Sequence, residues 1–174
     1  MGDRIDIVLG DLSTFESMSA TLAAERAIHK TFCDYLFFID NRAFEQAAAC
    51  FTHDTTVTYQ MVDGPPIVTR GREKYCASLQ GITEGRTIQM TAHVLGQYVM
   101  TWEAGKAKVE AYVSSWQWYG INEHLGDLRP ADFSTIGHSQ DEFEYVDGHW
   151  LIASRSVRPV AGLTATGSAS QMAK

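Results

Sequence analysis

The sequence predicts an α+β fold in which a curved antiparallel sheet wraps around N-terminal helices to form a cone-shaped barrel. Three observations carry that prediction. Apolar residues of the first third recur at three- and four-residue steps. The second half changes to long stretches of period two, and these are joined by tight turn signals that set neighbouring strands antiparallel. Such a cone has a mouth, and the space between helix and sheet suits a small apolar ligand oriented by a few polar groups.

The opening helix is predicted from Ser19 to about Asp40, where Ala24, Ile28, Phe32, Tyr35, Leu36 and Ile39 form one apolar stripe. Asp40 then sits at the C-terminal end, where the helix dipole disfavours an anion, so a compensating partner is required. Further helices are predicted from Arg42 to Phe51 and from Arg72 to Leu79, the latter bounded by Gly71 and Gly81. Between them, Val57, Tyr59 and Met61 alternate with polar residues until Gly64-Pro65-Pro66 breaks the strand, and His53-Asp54 reads as a helix-end turn. Residues 87 to 102 predict one long strand, turned by Glu103-Ala104-Gly105 into a second from Lys106 to Tyr119. After an excursion from Gly120 to Asp132, strands are predicted from Ser134 to Val146 and from His149 to Val157, joined by the two-residue signal Asp147-Gly148. The resulting organisation is an N-terminal extension over 1–18, one domain over 19–159 and a flexible C-terminal tail over 160–174, without internal repeats.

Composition removes several function classes. A 174-residue chain with 45% hydrophobic residues suffices for a core with a pocket inside it. A formal net charge of -7 provides no basic footprint for phosphates, which argues against nucleic acid as a partner. No apolar run approaches the roughly 20 residues that span a bilayer, and the acidic start is unlike a signal peptide, so the expectation is a soluble cytoplasmic protein. Cys33, Cys50 and Cys76 are an odd count without CxxC spacing and read as reduced thiols. No HxH or HxxxH pair suggests a metal site, His138 and His149 read as surface or hairpin residues, and no glycine-rich nucleotide loop follows a strand. The expected chemistry is cofactor-free.

Tyr35, Asp40, His93 and Arg155 are polar residues embedded in apolar stretches. A carboxylate beside an imidazole makes a general base without a metal, and an arginine offers a place for developing negative charge. Each also has a plainer explanation. Asp40 could cap the following helix. His93 shares its parity with Gln89, Thr91 and Gln97 and alternates with Ile88, Met90 and Ala92, which puts it opposite the apolar packing face. Arg155 shares a face with Leu151, Ala153 and Val157, and either an acidic neighbour such as Glu142 or a substrate oxyanion satisfies it. Tyr35 packs on the helix stripe, yet a buried phenol needs a partner and can donate a proton. Tyr59, Tyr112, Trp116, Trp118 and Phe38 are the expected pocket aromatics, which favours a flat or aromatic substrate.

The segments YLFFID, AAACFTHDTTVTY, TAHVLGQ and EFEYVDGHWLIASR together resemble the nuclear transport factor 2-like superfamily, and within it the SnoaL-like dehydratases and dehydrochlorinases. The resemblance covers about residues 20 to 158. It implies that Asp40 orients His93, that Tyr35 stands where a bile acid dehydratase of the family has a tyrosine, and that Arg155 stands on the arginine beside a leaving group. It further implies a cofactor-independent lyase for a small hydrophobic, hydroxylated aromatic or alicyclic substrate. Dehydration or β-elimination and carbon–carbon cleavage releasing formaldehyde or another carbonyl both fit. An isomerase or polyketide cyclase, and a non-catalytic binding protein or oxygenase small subunit, are the alternatives. An open sheet with aromatic residues on its outer face predicts a homo-oligomer, dimer or trimer.

Overall fold

Thr14 starts the first helix, because its side-chain oxygen accepts the Ser17 N–H and satisfies a donor that the helix itself leaves unpaired. In the computed structural model, which describes residues 9–61, 64–85, 88–125 and 128–164, helix α1 therefore runs Phe15–Asp40, a turn longer at its start than the apolar stripe alone predicts. Its buried residues, Ser17, Thr21, Ala24, Ile28, Phe32, Tyr35 and Leu36, keep the three- and four-residue spacing. Helix α2 is only Phe44–Ala49, because Arg42 adopts a left-handed φ of 58° that no helix can begin from. That conformation costs about 1 kcal/mol. It is offset by the Arg42 guanidinium, which donates to the backbone carbonyls of Ile88 and Gln89.

Strand β1 (Phe51–Tyr59) follows directly, so His53 and Asp54 lie inside a strand rather than in a helix-end turn. They are exposed where its register with β6 shifts between Phe51 and Thr56. Strand β2 (Ile67–Arg70) and helix α3 (Arg72–Gly85) come next, then β3 (Ile88–Glu103) and β4 (Lys106–Tyr119). Ala104 and Gly105 turn that hairpin with φ of 49° and 79°, and Asp147 and Gly148 do the same between β5 (Phe133–Val146) and β6 (His149–Thr164) with 49° and 85°. Positive φ at both turn residues matches the twist of the paired strands, which is why these hairpins are legible as dipeptides.

The sheet order is β2-β1-β6-β5-β4-β3, with β1 and β6 parallel and the other neighbours antiparallel. Consequently β3 is an edge strand. Strand β6 continues through Thr164, pairing Ala161 to Thr164 with Ile136 to Phe133, so the first residues of the predicted tail are sheet. The remainder of that tail, 165–174, and residues 1–8 of the predicted extension lie outside the described residues. The inner face of the sheet presents Ala107, Val109, Ala111 and Val113 of β4, Phe143 of β5 and Ile152 of β6 to α1, forming the core. After β4 the excursion begins as a 3-10 helix, Gly120–Leu125, and ends on Asp132. The Asp132 carboxylate accepts from the Tyr119 N–H at 2.7 Å and the Asn122 amide at 2.7 Å, with Arg129 at 3.3 Å, so the excursion is pinned to the strand end. Among the described residues no helix is long and apolar enough to cross a membrane.

Candidate active site

An edge strand has backbone N–H groups that no neighbouring strand accepts. The last residue of α1 uses one of them. Asp40 Oδ2 accepts the His93 N–H at 2.9 Å, Oδ1 accepts the Thr91 hydroxyl at 3.0 Å, and Oδ1 lies 2.5 Å from His93 Nδ1. The compensating partner that the helix dipole requires is therefore a set of three donors from β3. With Nδ1 held against the carboxylate, Nε2 is the nitrogen left to act on something else. The side chains are 17% (His93) and 21% (Asp40) exposed, so both are partly shielded from bulk water.

The face of β3 on which His93 lies differs from the sequence reading. Thr91, His93 and Leu95 point inward, whereas Met90 and Val94 are exposed on the outer face. A register irregularity between Leu95 and Tyr98 then reverses the alternation, so that Met100 and Trp102 pack on the core. His93 thus shares the packing face instead of opposing it. Its cross-strand neighbour is the buried Ser115.

A second polar group lies under α1 and α3. Arg155, 4% exposed, donates from Nη1 to Asp141 Oδ1 at 2.8 Å, and Ser139 donates to the other carboxylate oxygen. Asp141, not Glu142, is the acidic neighbour. The register shift between Glu142 and Phe143 sets Asp141 directly across from Arg155 on the inner face, while Glu142 pairs with Lys106 at 3.0 Å. The guanidinium carbon stands 4.9 Å from the ring centres of both Phe32 and Tyr35, a cation–π arrangement. Burial opposes the guanidinium charge, but Asp141 and the phenols of Tyr35, Tyr59 and Tyr75 raise Arg155 above its ordinary value. Burial raises the Asp141 carboxyl against the opposing pull of Arg155 and Ser139. Tyr35, on the same helix as Asp40, has its hydroxyl 2.5 Å from that of Tyr75, which is in turn 3.0 Å from that of Tyr59. Burial first of all lifts both Tyr35 and Tyr75 well above the usual phenol range, so they rest protonated.

Tyr35 and Arg155 therefore meet in one cluster, and Asp40 and His93 in another, with α1 carrying a member of each. Five helical residues separate Tyr35 from Asp40, a rise of about 7.5 Å. Of the expected pocket aromatics, Tyr59 belongs to the phenol cluster and Phe38 is half-buried against the core. Tyr112, Trp116 and Trp118 share the strand parity opposite the buried Val113 and Ser115, which turns them to the outer face. There Tyr112 lies against His138 and Trp118 donates to the Arg129 carbonyl, so these three do not line the helix–sheet space. A separate groove of about 480 Å³, lined by Gln60, Met61, His138, Gln140, Ser156 and Arg158, opens beside them.

Sequence reasoning missed Tyr75, Asp141 and the role of Thr91. Tyr75 precedes Leu79 by one helical turn and reads only as core. Cys33, Cys50 and Cys76 are unpaired, and burial pushes the Cys50 thiol up to about 12, which makes it an inert packing residue. Among the described residues no group of three or more His, Cys, Asp or Glu is placed to hold a metal ion.

Residues 20–156 match the SnoaL-like domain family. The chain belongs to that family. This SnoaL-like domain is similar in structure to a candidate scytalone dehydratase from Novosphingobium aromaticivorans DSM 12444, with 25% identity and a TM-score of 0.70 over 85% of this chain and 91% of that one. It also resembles the hexachlorocyclohexane dehydrochlorinase LinA-type3 from Novosphingobium barchaimii LL02, with 17% identity and a TM-score of 0.71 over 87% and 96% of the two chains. ActVI-ORFA from Streptomyces coelicolor follows with 18% identity and a TM-score of 0.65 over 79% and 98%. The last two likenesses are of fold. No curated protein matches the sequence.

The buried ion pair of this SnoaL-like domain yields a direct prediction. Asp141→Ala leaves Arg155 charged, desolvated and without its carboxylate, and is expected to cost about 3–5 kcal/mol of stability. Urea unfolding of both proteins checks this, and a loss below about 1 kcal/mol would mean that Arg155 has another partner.

Proposed function

We propose that the protein is a cofactor-independent lyase in which His93, oriented by Asp40, removes a proton from carbon while a β leaving group departs. The observation that carries this reading is the 2.5 Å contact between Asp40 Oδ1 and His93 Nδ1. Asp40 accepts the Nδ1 proton, fixes that tautomer and leaves the Nε2 lone pair as the base. When Nε2 takes the substrate proton, the same carboxylate stabilises the imidazolium. The leaving hydroxyl departs with the bonding electron pair and needs a proton, which a phenol supplies. Arg155, engaged with Asp141, acts on the phenols beside it instead of contacting the departing group.

Phe32 and Phe51 pack around the phenol cluster in the core, and this apolar setting supports a small hydrophobic, hydroxylated aromatic or alicyclic molecule as the substrate. The names of two structural neighbours, for a dehydratase and a dehydrochlorinase, support elimination over a carrier role. General base assistance accounts for about 10²- to 10⁴-fold of rate, with positioning in a shielded pocket adding to it. On a panel of aromatic β-hydroxy ketones and alcohols, His93→Ala and Asp40→Asn are each expected to lower kcat by about 10²-fold or more. Ligand binding, followed by fluorescence quenching, should remain. Turnover equal to the unmodified protein would end the lyase reading and favour a non-catalytic ligand carrier.

We also infer that a second copy of the chain covers the outer face of the sheet. Met90, Val94, Val99, Tyr112 and Ile136 are exposed there, and Val94, Ser114 and Ile136 form one cross-strand row. Light scattering after size exclusion should give a mass of two or three chains, and Val94→Glu should shift it toward one. A monomeric unmodified protein would contradict this.

A further inference from the structure

Directly across from His93, on β4, stands a buried serine. Ser115 pairs with His93 in the β3–β4 register and Gln117 pairs with Thr91, so all four side chains share the inner face of the sheet. Residues directly opposite on antiparallel strands have Cβ atoms about 4.5–5.5 Å apart and diagonal ones about 7–8 Å apart, which puts both β4 residues beside the imidazole. Ser115 is 7% exposed, and among the described residues its hydroxyl has no hydrogen-bond partner. Its neighbours in the row are committed elsewhere. His93 Nδ1 is held by Asp40, and Thr135, next in the row on β5, donates its hydroxyl to the Ala161 carbonyl at 2.8 Å. Gln117 is half-buried, and its amide oxygen accepts from the Tyr119 hydroxyl at 3.3 Å, which leaves the amide N–H donors unengaged among the described residues. The next row on the same face is apolar, with Leu95 opposite Val113. A buried hydroxyl without a partner carries a desolvation cost, which an oxygen bound between Ser115 and Gln117 removes.

We infer that Ser115 and Gln117 form an oxyanion site, which receives the carbonyl oxygen of a substrate whose adjacent C–H proton is taken by His93. This rests on the elimination reading above and narrows its substrate to a ketone with a β leaving group and an apolar body lying over Leu95 and Val113. The proton goes to His93 Nε2, the C–H pair forms a carbon–carbon double bond, and the carbonyl π pair moves onto oxygen. That enolate oxygen accepts the Ser115 O–H and a Gln117 N–H. Arg155 is engaged with Asp141, so the charge developing beside His93 is met by these neutral donors, carried on a rigid strand and aimed where the charge appears. The oxygen pair then re-forms the carbonyl, and the double-bond pair shifts to the α–β bond and expels the leaving group with its bonding electrons. Chloride leaves as the ion, and a leaving hydroxyl is protonated as in the elimination above. His93 gives its proton to water once the product has gone, and the net change is loss of H and the leaving group from the substrate.

Ser115→Ala and Gln117→Met each remove donors with little change in volume, so they separate the oxyanion site from packing. The probes are a phenyl-bearing β-hydroxy ketone and the diol obtained by reducing its carbonyl. The ketone should turn over and the diol should not. Each substitution should lower kcat for the ketone about tenfold or more, with KM little changed and a melting temperature close to the unmodified protein. Equal turnover of ketone and diol, or ketone turnover that responds to His93→Ala but to neither β4 substitution, would overturn the oxyanion site alone. Ketone turnover unchanged by His93→Ala would overturn the elimination reading on which it rests. Binding gives a test independent of turnover, since a naphthol presents an oxygen on an aromatic body as the enolate does. By fluorescence titration the unmodified protein should bind the naphthol about tenfold more tightly than naphthalene, and the Ser115→Ala, Gln117→Met double variant should erase the difference. Equal affinities in the unmodified protein, or binding of neither, would overturn the oxyanion site even if no ketone reacts.

Discussion

A carboxylate at the C-terminal end of a helix faces the negative end of the helix dipole, at a cost of about 0.3–1 kcal/mol. Asp40 holds that position because the edge strand β3 supplies three donors, and hydrogen bonds to a charged group contribute about 1.5–3 kcal/mol each. The donors win. This one set of contacts fixes where α1 ends against the sheet, which side of β3 faces in, and which imidazole nitrogen is free. Two of the donors also immobilise the carboxylate from the backbone and from Thr91, so the His93 ring is oriented by a group that cannot swing away. Arg42 reinforces the same junction from the other side by holding the carbonyls of Ile88 and Gln89.

The buried guanidinium of Arg155 is the second constraint. An unpaired charge at 4% exposure would be prohibitive, and the Asp141 carboxylate, Ser139 hydroxyl and two aromatic faces make it tolerable. Once paired, it is a fixed positive charge beside three phenols, and it biases where negative charge can settle in an otherwise apolar interior. Asp40, which holds His93, and Tyr35, which belongs to the phenol cluster, lie on the last turns of one helix, so one rigid element carries a member of each polar group. Precision here comes from helix and strand geometry, not from loops.

Much of this architecture is legible in the residues. The Ala104-Gly105 and Asp147-Gly148 turns fix the hairpins, so the strand from Lys106 to Tyr119 lies where the alternation predicts it. The α1 stripe and the Asp40–His93 pairing follow from periodicity and from the motif resemblance. What escapes is register. The irregularity between Leu95 and Tyr98 reverses alternation along β3 at Gly96, a strand glycine that could have signalled it, whereas the one at Glu142 exchanges Gln140 for Asp141 opposite Arg155 with no glycine at the shift. Tyr75 escapes for another reason, since a tyrosine on an amphipathic helix reads as packing until its hydroxyl partners are known. The outward placement of Tyr112, Trp116 and Trp118 follows from alternation along β4, where they take the parity opposite Ala111, Val113 and Ser115. Abundance of aromatics on a strand does not by itself indicate a pocket lining.

The account turns on which nitrogen of His93 carries its proton when the ring is neutral. Nitrogen-15 NMR of the histidine side chains, with His93 assigned by substitution, reads this directly. The Asp40 contact predicts a protonated Nδ1 and a bare Nε2 in the neutral ring, and Asp40→Asn should disturb that preference. A neutral ring protonated on Nε2, unchanged by the Asp40 substitution, would contradict it.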